Sequence, residues 1–258
     1  MDSSRGRRWS REELLIAFNF YCRTPFGKYH KTNPTIIKLA NLLNRTPDAL
    51  AMKLGNFASL DPFHKARNIK GLRNVSRADR LIWDEFHNEG EKLAIESQSV
   101  IEELSNKKTQ LRKIFKITQY GSTITETVKE TKVRLAQSFF RDIVLASYGY
   151  ECAICQLNLI ELLNASHIIP WSYNPLRRAD PTNGLALCAL HDRAFDRGFF
   201  TFNTSLRVII SSKIKAKTNS RLQIVALQEI NGIKMMLPGK FTPDETAIKF
   251  HRENVFVP

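Results

Sequence analysis

Residues 163–198 read LNASHIIPWSYNPLRRADPTNGLALCALHDRAFDRG, and how this stretch is divided decides the fold. A short apolar run ends at His167 and has the length of a strand. Sixteen residues on, Asn183 opens NGLALC at a turn, and ALHDRAFDRG follows as a helix. One His thus stands at a strand end, an Asn in the next turn, and the pair His191 and Asp192 on the succeeding helix. Asp196 lies at i+4 from Asp192, on the same helix face. It reads either as a supporting carboxylate or as a salt-bridge partner of Arg193 or Arg197. The loop WSYNPLRRADPT sets Arg177 and Arg178 side by side, either as phosphate contacts or as a solvated charge pair.

Working outward, Cys152 and Cys155 form a C-x2-C, and Cys188 with His191 forms a C-x2-H after 32 intervening residues. Two such pairs, each presented from a tight turn or a helix start, can close a tetrahedral zinc site. The competing reading leaves Cys188 as a core residue of GLALCAL. Cys22, in the apolar-periodic LLIAFNFYC, reads as a buried thiol. Upstream, ETKVRLAQSFFRDIVLASYGY predicts a helix with a broad apolar face from Val133 to Leu145, ended by Gly149. Downstream, FFTFNTSLRVIIS alternates around Asn203 and Thr204 and predicts a hairpin.

The whole chain has 258 residues, with 39 Lys and Arg against 25 Asp and Glu, a net charge of +14. A polyanionic partner is implied, nucleic acid or an anionic surface. Residues 1–90 carry a net +7, 91–130 a net +1 and 131–258 a net +6, which suggests two contact surfaces. No run of about 18 apolar residues exists to span a bilayer. The start, MDSSRGRRWSREELL, lacks the apolar segment of a secretory signal, so a cytoplasmic setting without membrane partners is expected.

Residues 9–60 read as three short helices. Ser10 and Glu13 form a capping box, with Trp9 as a staple candidate. Pro34 opens a second helix, and Thr46 caps a third that starts at Pro47 and runs to about Ala58. Two later helical stretches, from Ser76 and from Glu91 to Phe115, lack a sustained heptad and read as a connector, either a semi-rigid spacer or a bundle helix. Residues 117–127 read as a loop.

WSREELL together with IIKLANLLNRTPDALAMKL resembles the tryptophan-led Myb-like helix-turn-helix domains. That resemblance implies a later helix set in a major groove, with Arg45, Lys53 and Asn56 at DNA and Lys65, Arg67, Lys70 and Arg73 on phosphates. A helical bundle serving a protein partner is the alternative. From about Arg134 onward, RLAQSFFRDIVL, CAIC, ASHIIPW, DPTNGLAL, LHDRAFDRG, LPGKFTP and FHRENVF resemble the HNH, or ββα-metal, endonucleases, in particular those of restriction-like bacterial proteins. Two departures stand out. Ser166 occupies the position before the His, often an acidic metal ligand in that superfamily. His191 and Asp192 are adjacent where one signature residue is usual.

Phosphodiester hydrolysis needs a nucleophilic water, neutralised phosphoryl charge and a stabilised leaving oxygen. A neutral His can take the water proton, and the resemblance assigns that to His167, with Asn183 orienting it or holding the loop. Mg²⁺ or Mn²⁺ would serve as Lewis acid and clamp. Asp192 is its first ligand, Asp196 an outer one, and His191 a ligand if zinc does not claim it with Cys152, Cys155 and Cys188. The expected architecture is α+β: residues 1–75 helix-turn-helix, 76–130 connector, 131–258 HNH domain. The expected activity is metal-dependent cleavage of double-stranded DNA in a restriction or defence role, with a homodimer suggested by one site per chain. A non-cleaving DNA-binding regulator, kept open by Ser166, and an RNA-directed nuclease are the alternatives.

Overall fold

The structure, a computed structural model, describes residues 7–67, 75–104, 108–115, 128–215 and 218–258. The chain divides into two compact units, Met1–Phe139 and Phe140–Pro258. The expected loop at 117–127 and the phosphate contacts Lys70 and Arg73 lie outside the described residues.

In the first unit, α1 (Arg11–Arg23) is held at its start by the capping box of Ser10 and Glu13. Every residue from Leu14 to Cys22 is buried, not only one stripe of it. A helix apolar on all sides must be enclosed on all sides, and α1 is packed by α3 (Pro47–Leu60), α5 (Arg77–Phe86) and α6 (Gly90–Glu103). Helix α2 (Pro34–Leu42), capped by Asn33, packs on α3, and α4 (Pro62–Ala66) follows it. The stretch expected as one helix over 91–115 is α6, ending at Glu103, and a separate α7 (Lys108–Ile114). Of the two readings, spacer or bundle helix, α5 and α6 take the second: they belong to the first unit, with Ile82, Trp83, Phe86, Leu93 and Ile101 buried.

Three residues expected at DNA are built into this interior. Arg45 donates to the Arg7 and Arg8 carbonyls at 2.6 and 2.7 Å, pairs with Glu13 at 2.7 Å and lies 4.6 Å over the Trp9 ring. Lys53 donates to Asp79 Oδ1 at 2.7 Å, and Asn56 to Asp79 Oδ2 at 2.8 Å. Asp79 also caps α5 through the Ser76 backbone N–H. Trp9 is thereby a platform for two cations, its ring lying 5.2 Å from Lys53 Nζ as well.

In the second unit, α8 (Val128–Ser147), which begins in the first, ends on Gly149 at φ +64°. Strand β1 (Leu163–His167) pairs antiparallel with β2 (Gly184–Cys188), and His167 stands opposite Gly184. Helix α9 (Ala189–Asp196) follows β2 directly and packs on both strands. The expected hairpin forms, β3 (Phe200–Phe202) against β4 (Val208–Ile210), with residues 203–207 as its turn. Short helices α10 (Ser212–Lys215) and α11 (Arg221–Gln223), a wide turn at Ile224–Gln228 and α12 (Glu245–Asn254) complete the unit. This mixture of helices and small antiparallel sheets is α+β.

Two glycines are dictated by contact. A Cβ on Gly184 would lie 2.4 Å from Val144 Cγ2 and 2.9 Å from Phe140 Cζ, so α8 can approach β2 only at a glycine. Gly198, at φ +68°, ends α9 where a Cβ would meet the Val255 carbonyl oxygen at 2.1 Å. Its own carbonyl accepts from Val257 N at 2.9 Å.

Candidate active site and metal centre

The cysteine pair sits in a tight turn closed by Cys152 N to the Leu157 carbonyl and Gln156 N to the Cys152 carbonyl, both 2.9 Å. Cys188 ends β2 at the N-cap of α9, which sets His191 one turn later. The strand register and the helix start thus bring together four donors distant in sequence. Cys152, Cys155, Cys188 and His191 offer ligand atoms within 4.8 Å of one another. Cys155 and Cys188 sulfurs are 3.9 Å apart, and His191 Nδ1 lies 3.2 Å from Cys188 Sγ and 3.5 Å from Cys152 Sγ. Tetrahedral zinc at about 2.3 Å from sulfur and about 2.0 Å from nitrogen puts sulfurs about 3.8 Å apart and nitrogen about 3.5 Å from sulfur. The donor set and its spacing fit that ion.

His191 is oriented for this role. Its Nε2 donates to the Ala226 carbonyl at 2.9 Å, which leaves the Nδ1 lone pair facing the sulfurs, the second-shell arrangement usual for a metal-bound imidazole. The carbonyl comes from the wide turn closed by Glu229 N to Ile224 O at 2.9 Å. The Cys188 thiol is pushed up to about 11, first by its contact with Cys152 and then by burial. Burial also raises Cys155, whereas Cys152 is lowered by the Cys188 thiol. Three thiols in one pocket do not all ionise readily, and a cation among them removes that difficulty. With Nε2 on the Ala226 carbonyl, the one lone pair that His191 offers, at Nδ1, faces the cysteine sulfurs.

His167, on the last residue of β1, stacks on Phe140 at 4.0 Å and 9°, and meets Trp171 edge-on at 5.4 Å. Its Nε2 lies 2.9 Å from the Arg178 carbonyl. A carbonyl only accepts, so Nε2 carries the proton and Nδ1 keeps a lone pair. Burial lowers the His167 pKa, with the Arg178 hydrogen bond opposing, which favours the neutral ring. Phe140 can lie flat against it because Gly184, across the strand, has no side chain in the way.

Asn183 is buried. Its Oδ1 accepts from Ile169 N at 2.8 Å, and its Nδ2 donates to the Ile169 and Arg177 carbonyls at 3.2 and 3.3 Å. The amide ties the loop after β1 to its own return, and it bonds that loop instead of the His167 ring. Asp192, in the first turn of α9, accepts from Asn164 Nδ2 at 2.8 Å. Its charge acts on His167 in the direction that favours the imidazolium. Partial burial and then the Asp192 charge raise the Asp196 carboxyl, so two carboxylates repel in one place. Asn164 was not among the expected residues. The signal for it was a polar side chain in a short apolar strand over which a helix packs.

Ser166 is buried and, among the described residues, its hydroxyl has no hydrogen-bond partner. It stands two residues after Asn164 in β1 and therefore on the same face of the strand. Of the loop arginines, Arg177 is neutralised by Asp180 at 2.9 Å and Asp244 at 2.7 Å, a correction to its reading as a phosphate contact. Arg178 lies 4.7 Å over Trp171 and donates Nε to the Trp171 carbonyl at 3.1 Å, with no carboxylate partner among the described residues. In the first unit, Arg45, Lys53 and Asn56 are turned inward, and α3 presents Asp48 and Met52 to solvent instead. Their expected DNA contacts are likewise corrected: Asp79 and Glu13 hold them in the interior. Lys65 and Arg67 are exposed.

A family model described as HNH endonuclease matches residues 152–203. The match runs from the first cysteine of the cluster through His167, Asn183 and Asp192 to the turn of the hairpin. It supports a nuclease of the HNH type, for which DNA is the implied substrate. No curated protein matches the chain. No helix among the described residues is long and apolar enough to cross a membrane.

Proposed function

We propose that the chain is a divalent-metal-dependent endonuclease acting on double-stranded DNA. The observation that carries this reading is the setting of His167: Nε2 lies 2.9 Å from the Arg178 carbonyl, so in the neutral ring that burial favours Nδ1 carries the lone pair. At the site, Nδ1 takes a proton from the water that attacks phosphorus, and Nε2–H stays on the carbonyl so the ring does not turn. The nearby Asp192 charge favours the imidazolium so formed. General-base help of this kind is worth roughly 10²–10⁴-fold.

Asp192 would hold Mg²⁺ or Mn²⁺, with the Asn164 amide fixing the carboxylate through Nδ2. Asp196 would be an outer carboxylate. When bound, such an ion supplies Lewis-acid polarisation of the phosphoryl group and stabilises the leaving oxygen. Zinc in the Cys152, Cys155, Cys188 and His191 cluster would be structural, fixing the start of α9 and with it Asp192. Arg178, stacked and unpaired with acid, would meet a phosphate, and Lys65 and Arg67 would dock DNA from the first unit in place of α3. By this reading residues 131–258 form the nuclease domain, in a restriction or defence role inside the cell, with two chains cooperating on a duplex.

The test is purified protein with Mg²⁺ or Mn²⁺ on duplex DNA, modified and unmodified, and on RNA. Duplex DNA is expected to be cut, and His167→Ala to abolish cutting while DNA binding persists. Failure of the wild type on every substrate with both metals would overturn the reading in favour of a non-cleaving DNA-binding protein.

A further inference from the structure

A cavity of about 690 Å³ opens between α2 and α7, wholly within the first unit and with no residue of the site described above. Thr35, Lys38 and Asn41 line it from α2, and Gln110 and Lys113 from α7, with Leu42 and Ile114 as its aliphatic part. The helical repeat explains the selection. Thr35, Lys38 and Leu42 are spaced i, i+3 and i+7, and Gln110, Lys113 and Ile114 are spaced i, i+3 and i+4, so each set shares one helix face. The residues between them are buried: Ile36, Leu39 and Ala40 on α2, and Leu111 and Phe115 at α7. Each helix gives its apolar face to the core and its mixed face to the cavity.

Both walls are tied down. Arg112 Nε donates to Glu102 of α6 at 2.7 Å, and Arg23 donates to the Phe115 carbonyl at 2.9 Å. Asn33 caps α2 by accepting from Thr35 N at 2.9 Å. Charge in the cavity is of one sign. Lys38 and Lys113 each bring an ammonium, no Asp or Glu lines the walls, and neither lysine has a carboxylate partner among the described residues. Other cations of this unit are matched, Lys53 by Asp79, Arg45 by Glu13, Lys92 by Glu85 and Arg112 by Glu102.

Two ammoniums are point charges suited to phosphate oxygens, whereas a planar carboxylate is better met by the fork of Arg. Beside them Thr35, Asn41 and Gln110 offer donors and acceptors together. Small-molecule sites typically measure about 300–1,000 Å³ and combine apolar wall with a few convergent polar groups. We propose that this cavity binds a mononucleotide, its phosphates held by Lys38 and Lys113 and its base set against Leu42 and Ile114 within the amides of Asn41 and Gln110. A duplex carries its phosphates on a convex backbone, which a ridge of cations meets better than a hollow walled by amides and aliphatic carbon. The inference stands independently of the nuclease reading.

The test is isothermal titration of the full-length protein, without added divalent metal, with ADP, GDP, CDP and UDP in turn. Adenosine and inorganic phosphate are the partial ligands. At least one of the diphosphates is expected to bind once per chain and at least tenfold more tightly than either partial ligand. Lys38→Gln and Lys113→Gln are each expected to weaken it about tenfold, the loss of one charge-assisted contact. Asn41→Asp, which sets a carboxylate in the wall, is expected to do the same. All three positions are exposed, so these variants are expected to melt as the wild type does. Arg178→Gln, in the second unit, is expected to leave nucleotide affinity unchanged. The proposal falls if none of the four diphosphates binds, or if binding survives all three cavity variants and is lost in Arg178→Gln. Equal affinity for inorganic phosphate would reduce the cavity to an anion contact and overturn the nucleotide. Weaker duplex binding by the lysine variants, with no heat from any diphosphate, would make this face a DNA contact and overturn it as well. Cleavage enters none of these readouts, so a chain that cuts no DNA but binds a nucleotide here loses the nuclease reading and keeps the cavity.

Discussion

Helix α3 in the first unit and the β1–β2–α9 segment in the second are both short, both rich in polar side chains, and opposite in what those side chains do. In α3, Lys53 and Asn56 point inward and are consumed by Asp79, while Arg45 just before it is consumed by Glu13 and two carbonyls. In the second segment, the cysteine cluster forms at the Cys188 end of the two-stranded sheet and His167 stands at the other end, opposite Gly184. The first set stabilises a unit and the second leaves lone pairs available for chemistry. A basic residue on a helix is thus weak evidence of a DNA contact until its acidic neighbours are known. A set of donors whose spacing matches a metal is strong evidence before any neighbour is known.

The comparison can be broken most severely at the cluster. Cys152→Ser removes one of four ligands from a site whose occupancy contributes on the order of 10 kcal/mol in small zinc domains. Metal analysis is expected to find one zinc per chain in the wild type and far less in the variant, with the second unit losing its cooperative melt. A zinc-free wild type with an intact melt would end the metal reading.

Next in size is the inward network. Asp79→Ala leaves the Lys53 ammonium buried without its partner, a change that typically costs about 3–5 kcal/mol, read by urea denaturation. Lys53→Met, which removes the charge as well, is expected to cost less. It is also expected to leave the salt dependence of DNA binding unchanged, whereas neutralising Lys65 or Arg67 flattens that slope by about one unit each.

Acid sharpens the contrast from the second unit. His251 is buried against Phe195 at 3.7 Å, its nitrogens on Thr201 Oγ1 and the Phe195 carbonyl, and burial lowers its pKa to about 4. The unfolded chain binds a proton near pH 6.5 that the folded chain refuses until about pH 4. Its contribution is therefore whole above pH 6.5 and is lost as pH falls toward 4, to the extent of about 3 kcal/mol. Melting temperatures between pH 7 and pH 4 measure it, and His251→Gln is expected to flatten the decline.

The smallest stability effect with a large functional echo is Gly184→Ala. Overpacking against Val144 and Phe140 is expected to cost about 1–3 kcal/mol. Because Phe140 is the floor under His167, the cutting rate is expected to fall more than the stability loss alone explains.

What the residues revealed by themselves was local or covalently spaced. The capping box at Ser10, the helix start at Pro47 with Thr46 before it, the hairpin around Asn203, and the C-x2-C and C-x2-H pairs need only neighbours along the chain. What escaped needed a partner far away. Asp79 lies 26 residues from Lys53, Ala226 lies 35 residues from His191, and the Asn164 amide meets Asp192 across 28 residues. The enclosure of α1 escaped for the same reason. An apolar stripe says which face must be buried, but the number of helices available to cover the other faces is a property of the whole unit.

The anchoring of Gly198 by Val257, and of Arg177 by Asp244 at the start of α12, has a consequence for the order of events on the ribosome. The first unit is helical and ends at Phe139, so it can fold while the rest is being made. The catalytic loop is braced only when residue 244 has emerged, and the end of α9 is sealed only when residue 257 has. During synthesis the chain therefore passes through a period in which its first unit is complete and its second is not.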